Sequence, residues 1–156
     1  MADILIPLPD LEATAELGAA LADIVEPGDF VALQGPLGAG KTTLARALIE
    51  ALNDGEPIEV TSPTYTLLQT YEVDGLEVWH ADLYRLEEPE EALALGLGGA
   101  NEAAFDAVQL VEWPERLGGY LPRHRLDIVL SVGPEGRTAR LTGSAAWMKR
   151  LETVFE

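Results

Sequence analysis

The sequence predicts an α/β domain with a mixed sheet, and three features carry that expectation. A short apolar run, Phe30-Val31-Ala32-Leu33, leads directly into a glycine-rich loop and then a helical pattern. Two extended stretches, 66–73 and 76–83, are separated only by Asp74-Gly75, a pair that favours two-residue hairpins, so these strands are antiparallel. A second hairpin is expected from 124–132 and 137–141, across Gly133-Pro134-Glu135-Gly136. Buried strand, loop and helix beside hairpins imply helices packed on a sheet of mixed direction.

The remaining elements follow in order. Asp3-Ile4-Leu5-Ile6 reads as a first strand stopped by Pro7 and Pro9. Asp10 is a good N-cap for a helix whose apolar stripe runs through Leu11, Ala15, Leu17, Gly18, Leu21, Ala22 and Val25, ending at Pro27-Gly28. Residues 44–52 are helical in pattern, with Asn53-Asp54-Gly55 as the stop. A short helix is expected over 89–95, broken by Gly96, Gly98 and Gly99. Residues 107–111 form another buried-type strand, and Ser144 caps a last helix reaching Phe155.

Composition narrows the function. The 156 residues hold 10 basic and 27 acidic side chains, a net charge of −17, which fits one domain over 1–156 that buries its own core. With no cysteine, a disulfide framework, a zinc ribbon and a thiol nucleophile are all excluded. The start, Met1-Ala2-Asp3, lacks a basic region and an apolar core, and no apolar run approaches spanning length, so a soluble cytoplasmic chain is expected. The densest basic stretch is only Arg123-His124-Arg125, too little to hold a nucleic-acid backbone unaided.

Chemistry concentrates in one loop. Gly35-Pro36-Leu37-Gly38-Ala39-Gly40-Lys41-Thr42 satisfies G-x-x-x-x-G-K-[ST] in full, after a strand and before a helix, the context that gives the motif its meaning. Gly35, Gly38, Ala39 and Gly40 let backbone N–H groups close around an anion, to which the helix adds its positive end. Lys41 reaches the β- and γ-phosphates, the Thr42 hydroxyl ligates Mg²⁺, and Thr43 is placed for the α-phosphate. The site is one for a nucleoside triphosphate.

Such a loop works with a carboxylate near the metal, at the end of a neighbouring strand. Glu112 follows Gln109-Leu110-Val111 and precedes Trp113-Pro114. Asp82 lies in Trp79-His80-Ala81-Asp82-Leu83-Tyr84-Arg85, where His80, Asp82 and Tyr84 would share one strand face. His80 reads as a histidine hydrogen-bonded inside that polar face. Arg85 is open to two roles, pairing with Asp82 or meeting phosphate. The segment Thr61-Ser62-Pro63-Thr64-Tyr65 lies where phosphate-loop proteins sense the γ-phosphate through a threonine, although a plain proline-bounded turn fits as well.

The loop at 35–43, Ser-Pro-Thr-Tyr at 62–65, His-x-Asp-x-Tyr-Arg-Leu at 80–86 and Glu112-Trp113 occur in the order of a known family. Together they resemble the bacterial tRNA threonylcarbamoyladenosine biosynthesis ATPases called TsaE, over essentially the whole chain. The resemblance implies a P-loop NTPase-type, three-layer α/β domain that binds ATP and Mg²⁺. It also implies TsaD-like and TsaB-like transferase subunits as partners, with tRNA met only through them. Carried over, Thr42 and Glu112 are the magnesium ligands, Thr64 the switch-like threonine and Asp82 a catalytic or metal-shell acid. An arginine of the last hairpin is expected at the nucleotide, Arg137 rather than Arg140. Pro36 departs from the acidic or polar residue frequent in the family, at a position without a motif role.

Two other classes use the same loop. A small-molecule kinase needs an acceptor pocket and an arginine-bearing lid, whereas residues 87–91 here are acidic. A non-catalytic module would use ATP only to order 61–65. Oligomeric state is left open by the sequence.

Overall fold

The computed structural model describes residues 3–36, 38–54, 68–97, 106–134 and 136–155. Among these, the strands are β1 (Ile4–Leu8), β2 (Phe30–Gln34), β3 (Leu68–Val73), β4 (Leu76–Asp82), β5 (Ala107–Glu112), β6 (Leu126–Gly133) and β7 (Gly136–Gly143). The helices are α1 (Leu11–Ala22), α2 (Lys41–Leu52), α3 (Pro89–Ala94) and α4 (Ala145–Glu152). The strands form one sheet in the order β1-β7-β6-β2-β5-β4-β3. The pairs β6–β2, β2–β5 and β5–β4 are parallel, and the flanking pairs are antiparallel. This is the mixed α/β sheet that the strand–loop–helix unit and the hairpins predict.

Two apolar layers sandwich the sheet. On one face Val31, Leu33, Val78, Val108, Leu110 and Ile128 pack with Leu17 and Leu21 of α1, Leu44 and Leu48 of α2, and Trp147 and Leu151 of α4. On the other, Phe30, Ala32, Ala81 and Val111 pack with Leu86, Ala92, Leu97 and Leu117. Consecutive residues of β2 thus feed opposite layers, which is why that strand reads as an unbroken apolar run. By the same period of two, His80 and Asp82 share the α2 face with Val78, and Glu112 shares it with Val108 and Leu110.

Local chemistry accounts for most element ends. The Asp10 carboxylate accepts from Ala13 N at 2.8 Å and opens α1, and Ser144 Oγ accepts from Trp147 N at 3.4 Å and opens α4. Asp74 (φ 50°) and Gly75 (φ 80°) both take the left-handed conformation that a tight hairpin requires. Three expectations need correction. Pro7 lies inside β1, opposite Thr138, because β1 is an edge strand, where a missing N–H need not interrupt a ladder. Leu11 is 66% exposed and lies beside the groove between α1 and α2, so the buried stripe of α1 is Thr14, Leu17, Gly18 and Leu21. Tyr84 lies beyond the end of β4 and does not share the strand face of His80 and Asp82. A 3₁₀ stretch, Pro114–Tyr120, was not evident from the apolar pattern.

The C-terminal helix is fastened to the turn before β2. Arg150 donates to both Asp29 oxygens at 2.7 and 3.1 Å and to Ile24 O at 2.9 Å, and its guanidinium lies 3.8 Å from the Trp147 ring centroid. On the same face α1 and α2 are in close contact at Gly18. A Cβ there would lie 2.6 Å from Ala47 Cβ and 2.8 Å from the backbone of Ala47 and Leu48. Gly18→Ala gains roughly 1 kcal/mol of helix propensity but forces two helices apart at a cost of about 1–3 kcal/mol. The variant should therefore melt below wild type by a few degrees in thermal unfolding. Equal or higher stability would mean that α1 shifts freely on α2.

Candidate active site

The parallel strands end at one edge, and the site is assembled there. Beyond β2 the chain turns at Gly35 (φ 149°), where a Cβ would come within 2.7 Å of Leu130 O, so only glycine fits this approach. Ala39 N donates to Pro36 O at 3.1 Å and closes the loop. Gly40 (φ 103°) is the N-cap of α2 and brings no capping side chain, which suits a helix end that receives an anion. Arg137, at the start of β7, donates to Gly38 O at 3.0 Å and so lies against the loop. Arg140 faces Asp3 instead, at 3.7 Å.

Lys41 is 5% exposed. Its ammonium donates to Gly35 O and lies 3.8 Å from the centroid of the Trp113 ring. Burial lowers its pKa, opposed by the charges of Glu112, Asp82 and Glu115. Trp113 holds this position from a left-handed backbone (φ 59°, ψ 51°), a strained conformation for a bulky residue, and its ring meets Tyr84 at 5.0 Å between centroids.

Register supplies the acids. Glu112 is opposite Leu33 on β2 and opposite Asp82 on β4, so both carboxylates stand at the strand ends beside the loop. The Thr42 hydroxyl lies 3.0 and 2.8 Å from the two Glu112 oxygens, and His80 Nε2 lies 2.7 Å from Glu112 Oε2. Asp82 Oδ1 accepts from Tyr84 N at 3.0 Å. Burial raises the Asp82 pKa, the Glu112 charge adds to the rise, and the Tyr84 hydrogen bond, Lys41 and His80 oppose it.

The structure thus brings together Gly35, Gly38, Ala39, Gly40, Lys41, Thr42, Asp82, Glu112 and Arg137, with His80 behind them. Thr43 lines the groove between α1 and α2 with Thr14 and Arg46. Thr64 and the rest of 61–65 lie outside the described residues, as does Leu37. Trp113 as the aromatic partner of Lys41 was missed by sequence reasoning. Its place before Pro114 predicts extended backbone, so the left-handed turn that carries the ring to Lys41 was not legible in the sequence. Hydroxyl and carboxylate oxygens of Thr42 and Glu112 suit a hard cation such as Mg²⁺, with Asp82 nearby. Among the described residues no three His, Asp or Glu side chains form a metal cage.

A model of the family described as threonylcarbamoyl adenosine biosynthesis protein TsaE matches residues 8–139. The chain belongs to the TsaE family. It is 39% identical to the tRNA threonylcarbamoyladenosine biosynthesis protein TsaE of a Nostoc species, over 86% of this chain and 83% of that one. Identity to the TsaE of Haemophilus influenzae is 33%, over 95% and 94% of the two chains. To that of Bacillus subtilis it is 39%, over 85% and 79%. The crystal structure of Bacillus subtilis YdiB superposes with a TM-score of 0.78 at 26% identity, covering 98% of this chain and 94% of that one. As a TsaE-family member, the chain serves the biosynthesis of threonylcarbamoyladenosine in tRNA. No helix among the described residues is long and apolar enough to cross a membrane.

The raised pKa of Asp82 has a stability consequence. Above its folded pKa the buried carboxylate is ionised and destabilises the fold. As pH falls through the folded pKa toward the ordinary value of 3.8, the folded state binds the proton first and the penalty disappears. Asp82→Asn keeps an oxygen for Tyr84 N and removes the charge. Without nucleotide it should be more stable than wild type near neutral pH, with the difference shrinking on acidification. Paired urea titrations between about pH 4 and pH 8 measure this, and a variant no more stable than wild type at the upper end would contradict it.

Proposed function

We propose that this TsaE-family chain is a cytoplasmic Mg²⁺-dependent ATPase that acts with TsaD-like and TsaB-like transferase subunits. The observation that carries the reading is the contact of Thr42 with Glu112, which holds a hydroxyl and a carboxylate side by side at the mouth of a phosphate loop. In this reading the loop N–H groups around Gly35, Gly38, Ala39 and Gly40 bind the phosphates of ATP, and Thr43 reaches the α-phosphate. Lys41 moves its charge from Gly35 O to the β- and γ-phosphates. Thr42 and Glu112 hold Mg²⁺, which when bound neutralises phosphate charge. Asp82 is bonded through Oδ1, so Oδ2 is the atom that accepts a proton from an attacking water; its raised pKa suits that role. Arg137, which lies on the loop, contacts the nucleotide. Thr64 enters as the threonine that senses the γ-phosphate.

The partners follow from what the site would gain beyond Lys41 and Arg137. Phosphoryl transfer is faster with positive charge beyond the lysine and the metal, and an arginine from a second protein raises such rates about 10³–10⁵-fold. A net charge of −17 opposes direct contact with tRNA, which is therefore met through the transferase subunits.

The isolated protein should hydrolyse ATP slowly, speed up when the transferase subunits are added, and fail to shift tRNA in a gel. A rate that follows a small-molecule acceptor and ignores the subunits would favour a kinase. Lys41→Ala should weaken Mg–ATP binding in calorimetry by roughly 10- to 100-fold, the worth of a charge-assisted hydrogen bond. Unchanged affinity would remove the loop from the mechanism. Glu112→Ala should raise the magnesium requirement more than Asp82→Ala, and both should abolish turnover.

A further inference from the structure

His80 is fully buried, yet it is not simply a core side chain. One ring nitrogen, Nε2, lies 2.7 Å from Glu112 Oε2, and Nδ1 has no hydrogen-bond partner among the described residues. A buried imidazole is costly wherever a ring nitrogen is not satisfied, and an apolar residue of similar size would avoid that cost. What the position gains is a donor. An ionised carboxylate only accepts hydrogen bonds, so the nitrogen facing Glu112 carries the hydrogen.

The placement is specific. His80 is opposite Leu110 in the ladder and its ring reaches two residues further along β5, to the carboxylate at the strand end. Glu112 Oε2 then receives His80 from inside the sheet and Thr42 from α2, at 2.7 and 2.8 Å. Two donors on one oxygen fix the plane of the carboxylate. The single Thr42 hydroxyl hydrogen favours the nearer Oε2, so Oε1, 3.0 Å from that hydroxyl, is the more available oxygen among the described contacts.

We propose that His80 is a positioning residue, whose Nε2–H holds the Glu112 carboxylate in the orientation that a magnesium–nucleotide complex needs. This rests on the proposed magnesium-dependent function of the same site. Hydrogen-bond partners behind metal ligands typically contribute 10- to 100-fold in metal affinity. Here the phosphates share the ion, so an effect near the lower limit is expected. His80 itself touches neither metal nor nucleotide.

The test is binding, not turnover. ADP affinity of the full chain is measured by calorimetry at graded magnesium, for wild type, His80→Leu, His80→Gln and His80→Asn, with melting curves to establish folding. The Gln amide nitrogen reaches about as far as Nε2, whereas that of Asn stops short. His80→Leu should need roughly tenfold more magnesium for half of the full affinity gain, with ADP affinity in chelator unchanged and His80→Gln close to wild type. In a Glu112→Ala background the His80 substitutions should have no further effect. A magnesium requirement unchanged in His80→Leu, or Gln no better than Leu, overturns the proposal. If His80→Leu does not fold, Gln against Asn decides: Asn must be shifted and Gln not, and equal behaviour overturns it. Wild type whose ADP binding ignores magnesium would overturn the proposed function itself, and is seen before any variant is compared.

Discussion

The parallel pairing of β2 with β5 is the constraint on which the site depends. With Leu33 opposite Glu112, the strand that launches the phosphate loop and the strand that carries the acid end side by side. The loop then returns Thr42 to within 2.8 Å of that acid. A shift of one residue in either strand would turn Glu112 to the opposite face, among Ala81, Val111 and Leu117. The apolar layers forbid such a slip, because every alternate side chain would move with it. Packing of ordinary aliphatic residues thus sets the distance between the Thr42 hydroxyl and the Glu112 carboxylate.

That arrangement buries charge. Lys41, Asp82 and Glu112 are all buried, and His80 is fully enclosed beside them. The group is only partly compensated internally: Lys41 rests on a carbonyl and an aromatic face, and Asp82 bears a raised pKa. Desolvated charges of this kind become far more favourable when a ligand of matching charge arrives. Trp113 contributes by holding a strained backbone so that its ring covers the lysine, and Tyr84 supports the ring from outside.

Away from the site the chain is strongly acidic, with a net charge of −17, and one of its arginines ties elements far apart in the sequence. Arg150 gathers Asp29 and the Ile24 carbonyl under α4, next to the turn that starts β2. The C-terminal helix is therefore connected, through that turn and β2, to the phosphate loop. Arg137 connects the last hairpin to the same loop at Gly38. Both arginines act as structural ties to the loop region within a chain that has only eight arginines.

The sequence by itself determined whatever is encoded over short spans. Asp10 and Ser144 mark helix starts, Asp74-Gly75 marks a hairpin, and the spacing of Gly35 to Thr42 marks a phosphate loop, because each depends on backbone geometry within a few residues. Asp82 and Glu112 were legible as strand-end acids for the same reason. Tertiary structure alone decided which partners those residues meet. That His80 bonds to Glu112 and not to a neighbour on its own strand depends on strand order and register, which come from packing across the sheet. That Trp113 covers Lys41 depends on a left-handed backbone at Trp113, where the residue before a proline is ordinarily extended. That Pro7 sits inside a strand depends on that strand being an edge. Local propensities are written in neighbouring residues; the meeting of residues 32 or 70 positions apart is settled only when the whole core closes.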